Sequence, residues 1–208
     1  MPRLMDMGLD KLNSLLLEMA ALSENAVSAS IEAYSKGGKG TQVREWSSQL
    51  RTLHRQVSDL SMELIARFQP VASDLRFIKA CFEISYGFFR FGRYALDIVD
   101  VLEVFGDLSK CDRTAVVETA RKTQEMIRMS VDAFARRDVA LARRIPKLDN
   151  LVDDSYRQHV RAVLDQKKDL RCALSCSLIL RYLERISDHA SYIGESVDYI
   201  VTGVEPKE

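Results

Sequence analysis

Apolar residues recur at spacings of three and four along almost the whole chain, and they almost never alternate with period two. That rhythm lays an apolar stripe along an α-helix and argues against a sheet. With nine Gly and four Pro in 208 residues, breaks in the stripe are few. The pattern predicts an all-α chain of six helices, at 8–36, 41–68, 71–105, 112–136, 138–166 and 169–202. Gly37, Gly38 and Gly40 separate the first two, and Gln69-Pro70 separates the second from the third. Gly106 and Asp107 close the third, with Ser109 or Asp112 to cap the fourth. Arg136-Arg137-Asp138 forms a short turn, Gln166-Lys-Lys-Asp169 a tight reversal, and Asp169 caps the sixth helix. Pro146 must either kink the fifth helix or mark its true start.

The second half repeats the first. Ser30-Ile-Glu-Ala-Tyr34 matches Ser130-Val-Asp-Ala-Phe134 at an offset of 100, and Asp74-Leu-Arg76 matches Asp169-Leu-Arg171 at an offset of 95. Arg90, Ala95 and Ile98 match Arg185, Ala190 and Ile193, again at 95. The lost five residues fall where the first half has its glycine-rich loop and the second only a tight turn. Duplication of a three-helix unit explains the pattern. Two tandem three-helix bundles follow, residues 1–108 and 109–208, and short loops make neighbouring helices antiparallel.

Composition narrows the function. Thirty basic residues balance thirty acidic ones, so no single-sign field favours nucleic acid or an anionic membrane. No segment reaches the ~20 uninterrupted apolar residues of a membrane span, and the start lacks an apolar run of signal-peptide length. A cytoplasmic protein is the expectation. Cys81, Cys111, Cys172 and Cys176 form no CxxC and no disulfide-like framework. They read as small buried thiols, which fits a reducing compartment.

The chemistry concentrates in two pairs of carboxylates. Glu184 and Asp188 stand four residues apart on one helix face, and so do Asp149 and Asp153. The pairs are centred on residues 186 and 151, so a reversal near residue 168 brings all four to one level of a helical hairpin. Four like charges so close repel unless a cation joins them. Oxygen ligands favour Mg, Mn, Ca or Fe over a structural zinc site, although an acidic surface site also takes up Zn. The plainer alternative is a set of surface ion pairs, because Arg157, Arg181 and Arg185 stand three or four residues from Asp153, Glu184 and Asp188. A ferritin-like di-iron centre needs Glu-x-x-His pairs, which the chain lacks. His189 reads as a boundary residue, while His54 and His159 read as solvated or structural. Nucleophilic hydrolases leave motifs that are absent here.

The two three-helix repeats, Gln69-Pro-Val-Ala-Ser-Asp-Leu-Arg76 ahead of the third helix, and Leu183-Glu-Arg-Ile-Ser-Asp-His-Ala190 with the following Tyr-Ile-Gly-Glu195 together resemble the PhoU family of phosphate-uptake regulators. The resemblance implies a regulator of phosphate uptake or signalling that works by binding, not turnover. It implies a transporter component or a sensor kinase as partner, and a homodimer. It also implies that Asp149, Asp153, Glu184 and Asp188 hold a divalent or trivalent metal ion such as Fe, Mg, Mn or Zn. A metal-dependent phosphohydrolase or metal-buffering protein on the same scaffold is the alternative.

The first repeat departs from that pattern. At offset 95 the four acids correspond to His54, Ser58, Phe89 and Arg93, so one metal site is expected, in the second repeat. Phe89, Arg90 and Arg93 lie in an aromatic run with Phe82, Tyr86, Phe88, Phe91 and Tyr94. Aromatics with Arg are the composition of contact hot spots, so the lost site is expected to have become a protein-contact surface.

Overall fold

Three antiparallel helices build each repeat in the computed structural model, which describes residues 4–165 and 169–205. α1 (Leu4–Lys36), α2 (Thr41–Phe68) and α3 (Ala72–Phe105) form the first repeat. α4 (Thr114–Arg136), a one-turn α5 (Val139–Ala142), α6 (Ile145–Asp165) and α7 (Leu170–Thr202) form the second. No strand occurs among the described residues. α3 and α7 run along each other and α1 touches α4, so the repeats share one interface. A single apolar cluster extends through both, with Phe88, Phe91, Ile127 and Phe134 fully enclosed. Burying each such side chain contributes about 1.5–3 kcal/mol.

Small residues set how closely the helices approach. A Cβ at Gly87 would lie 2.8 Å from Ile193 Cδ1 on α7, and one at Gly92 would lie 2.3 Å from Leu50 Cδ1 on α2. Gly40 ends the α1–α2 loop at a φ of +55°, with Val99 directly behind it, a place few side chains could take. Arg137 closes α4 in the left-handed region, and the Asp138 side chain then caps α5 by accepting from Leu141 N at 2.9 Å. Asp169 caps α7 as expected, accepting from Cys172 N at 3.0 Å. The expected reversal over 166–168 lies outside the described residues.

Two expectations need correction. The helix expected over 138–166 is broken at its start, because α5 stops at Ala142 and α6 begins at Ile145. Pro146 has no N–H to give the Ala142 carbonyl, and its ring crowds that oxygen, so it sits in the first turn of a new helix instead. The cysteines are also not four thiols. Cys111 and Cys172 form a disulfide with Cα atoms 5.4 Å apart, while Cys81 and Cys176 are buried thiols. The bonded pair is separated by 61 residues and meets only because the α3–α4 loop lies against the first turn of α7. The argument from reduced cysteines to a reducing compartment therefore lapses.

Candidate metal centre

α6 and α7 each present one face of acids to the other. Single ligand oxygens of Asp149, Asp153 and Asp188 lie within 4.8 Å of one another, all half-buried. Hard cations bind carboxylate oxygens at roughly 2.0–2.6 Å, so these three oxygens can converge on one ion after small rotamer changes. Oδ1 of Asp149 and Oδ1 of Asp153 are buried with no hydrogen-bond partner in the protein. An unsatisfied buried carboxylate oxygen costs about 1–3 kcal/mol or more. A cation is the partner that would satisfy both at once, so the donor set fits a hard metal ion.

Glu184 belongs to the same electrostatic neighbourhood but is engaged elsewhere. Both its oxygens accept from Nη1 of Arg181. Asp153 Oδ2 accepts from Arg157 at 2.9 Å, and Asp188 Oδ2 from Arg185 at 3.0 Å. All three ion pairs allowed by the spacing thus form. The structure brings Asp149, Asp153 and Asp188 together and holds Glu184 back on an arginine.

Burial sets the protonation behaviour of this face. It pushes the Asp149 carboxyl above the usual range, the Ser187 hydroxyl opposes it, and Asp188 and Asp153 add to the rise. Burial likewise raises Asp188, reinforced by Asp153. It also raises Glu184 against the pull of Arg181. Glu195 is a fifth acid that the pairwise spacing missed. Its carboxyl is raised by burial and then by Asp149. The signal was present, since 195 lies two helical turns beyond 188 on one face of α7. Tyr192, between them in sequence, is raised by burial and by Asp188, Glu195 and Asp149.

The corresponding face of the first repeat is packed, not charged. His54 stacks on Phe89 at a centroid separation of 5.6 Å, and its Nδ1 lies 2.9 Å from Ser85 Oγ. Arg93 turns to Asp97 at 2.9 Å. Arg90 bonds the Tyr94 hydroxyl and sits over that ring, 4.4 Å from its centroid. Phe89 therefore faces α2, and Arg90 faces the α3–α7 seam. In that seam His189 lies among Tyr86, Tyr94 and Tyr192, with centroids 5.6–6.0 Å away. His159 faces the Cys176 thiol at 3.6 Å.

A family model described as the PhoU domain matches twice, over residues 16–102 and 116–197. The phosphate-specific transport system accessory protein PhoU homolog of Pseudomonas putida is 33% identical over 207 residues, covering 95% of this chain and 80% of that protein. Its namesake from Pseudomonas aeruginosa is 31% identical over 218 residues, covering 95% and 85%. The crystal structure of PhoU from Pseudomonas aeruginosa superposes with a TM-score of 0.88 over 96% of this chain and 99% of that one, at 31% identity. The phosphate transport system regulatory protein PhoU from Streptococcus pneumoniae shares the fold at a TM-score of 0.78 and 18% identity, covering 98% and 100%.

Proposed function

The chain belongs to the PhoU family, and from that premise we propose that it restrains phosphate import, or the signalling tied to it, by binding a phosphate transporter component or a sensor kinase. The observation that carries this reading is the match of both repeats to relatives named as accessory proteins of a phosphate-specific transport system. The protein acts in the cytoplasm, as a homodimer, by contact and not by turnover. No described helix is long and apolar enough to cross a membrane, so docking on a membrane-bound transporter would use the protein's surface.

Asp149, Asp153 and Asp188, with Glu184 once released from Arg181, would hold a divalent or trivalent ion such as Fe, Mg, Mn or Zn. The ion supplies positive charge that neutralises the acidic face and ties α6 to α7. Without it the same face repels phosphate, so the physiological signal reaches this protein through its partner. The partner contact would use the half-exposed edges of this stretch of α3, where Phe89, Arg90 and Arg93 each keep part of their surface while packing toward different neighbours. Of their neighbours, Tyr86 is 44% exposed and gives that side an open aromatic edge.

Two measurements test the reading. Phosphate uptake in cells lacking the gene should escape repression when phosphate is plentiful, and the intact gene should restore it. Unchanged uptake would remove the regulatory role. Elemental mass spectrometry of protein purified without chelators or a metal-affinity column should find stoichiometric metal. The Asp149→Asn, Glu184→Gln double variant should lose that metal. Equal metal in both, or none in either, would remove the site.

A further inference from the structure

A second constellation of ligand-type side chains lies at the other end of α7, away from the acids. The α3–α4 loop brings Cys111 to Cys172 in the first turn of α7. Cys176, one turn further, is buried, and its sulfur lies 3.6 Å from His159 Nδ1 on α6. Cys111, Cys172, Cys176 and His159 all line one cleft of about 400 Å³, together with Lys110 and Asp169. Twelve residues separate Cys176 from Asp188, or ~18 Å along the helix, so this cleft is not part of the acidic centre.

Three sulfurs and an imidazole are the donor set of a tetrahedral zinc site, Cys3His. Cys176 and His159 pair with each other on the wall of the cleft that the bonded cysteines also line. We propose that reduction of the Cys111–Cys172 bond converts this cleft into a site for a thiophilic divalent ion, Zn²⁺, bound by Cys111, Cys172, Cys176 and His159. The reductant is a low-molecular-weight thiol. Two R–SH molecules deliver two electrons and two protons to the disulfide and leave as R–S–S–R, and Cys111 and Cys172 become thiols. Zn²⁺ then displaces the protons of the three thiols, which pass to solvent, and neutral His159 donates a nitrogen lone pair. The bound site carries one net negative charge, in a cleft that also holds Lys110, Asp112 and Asp169. Oxidation reverses the sequence, reforming the disulfide and releasing the ion.

Either state ties the loop between the repeats to α7, by a covalent bond when oxidised and through the ion when reduced. The fourth cysteine takes no part. Cys81 is a buried residue of α3 with its thiol pushed up to about 12 by burial, so it stays protonated.

Cobalt titration of the full-length protein tests this, because thiolate-bound tetrahedral Co²⁺ shows intense visible bands and a sulfur-to-metal charge-transfer band. Carboxylate-bound Co²⁺ does not. After reduction with a phosphine, one equivalent of Co²⁺ should develop these bands, and Zn²⁺ should bleach them. The oxidised protein should show none. Asp149→Asn should leave the bands intact, whereas Cys176→Ser should weaken binding on the order of 100-fold or more. His159→Ala should shift the bands. Circular dichroism checks that each protein stays helical, and Cys111→Ser supplies a disulfide-free protein without reductant. Reduced, helical protein without a charge-transfer band would overturn the proposal. So would bands that Cys176→Ser leaves unchanged, or a reduced protein that unfolds with and without the ion.

Discussion

His54 stacks on Phe89 with ring centroids 5.6 Å apart and planes 7° from parallel. Ninety-five residues later the same two positions hold Asp149 and Glu184. The same scaffold positions thus hold a stacked ring pair in the first repeat and, in the second, an aspartate facing other aspartates and a glutamate turned to Arg181. Stacked rings add about 0.5–1.5 kcal/mol beyond their buried area. A double-mutant cycle over His54→Ala and Phe89→Ala, measured by urea unfolding, should give a coupling in that range. Additive losses would mean that the rings only fill space.

Asp149→Asn should change the sign of its effect when metal is added. The Asp149 carboxyl is raised, chiefly by burial, so the folded protein holds this proton more tightly than the unfolded chain. Ionisation therefore costs stability. The cost grows as pH rises from the ordinary carboxylate range through the raised value, and it is complete at neutral pH. In chelated protein Asp149→Asn should stabilise at pH 7 by on the order of 1 kcal/mol, an amount already discounted for solvent screening. That gain should vanish near pH 4. With metal present the variant should be the less stable protein, because it loses the binding contribution. Thermal melts with and without chelator read both signs, and destabilisation in chelated protein at pH 7 would refute the account.

The three long helices of each repeat, Asp169 as the α7 cap and the convergence of Asp149, Asp153 and Asp188 were legible, because each depends on spacing within a helix or on symmetry about a turn. What stayed hidden depends on side-chain choice between neighbours or on contacts distant in sequence. The spacing placed Glu184 at the right level, and it also placed Arg181 within reach; only the packed structure decides that Glu184 turns to the arginine. The Cys111–Cys172 bond joins residues 61 apart through a loop whose course has no periodic signature. Pro146 allowed a kink or a true helix start, and the structure takes the second, with Pro146 in the first turn of α6. Arg90 and Phe89 are adjacent in sequence and were read as one surface, but a step of ~100° around the helix sends them to different neighbours.

Acid should destabilise the protein through His189. This ring is pushed down to about 4 by burial among the α3–α7 aromatics and, secondarily, by Arg90. In the unfolded chain its pKa returns to about 6.5. Below that value the unfolded state binds a proton that the folded state refuses, so stability falls as pH drops from about 6.5 to 4. The ring is partly exposed, which reduces the full effect to roughly 1–2 kcal/mol. His189→Phe should flatten that part of the pH profile in urea unfolding. Both proteins should be compared in chelator, since Asp188 is adjacent. A variant with the same acid-side slope as the parent would assign the loss to other groups.

Gly194→Ala should weaken metal binding without touching a ligand. A Cβ there would lie 3.1 Å from the Ala142 carbonyl oxygen and 3.0 Å from Ile145 Cδ1. The Ile145 tip can rotate away, but the carbonyl belongs to the backbone of one-turn α5, so relief requires the α5–α6 junction to move. Alanine gains about 1 kcal/mol of helix propensity over glycine, and overpacking costs about 1–3 kcal/mol. The net loss of stability should be about 1 kcal/mol. Asp149 stands one turn after Ile145 on the same helix, so any displacement carries its carboxylate off the converging point. Calorimetric metal titration should show weaker affinity in Gly194→Ala. Adding Ile145→Val should restore part of the stability and little of the affinity, because it removes only the side-chain contact. Full recovery of affinity in the double variant would show that the carbonyl contact does not position Asp149.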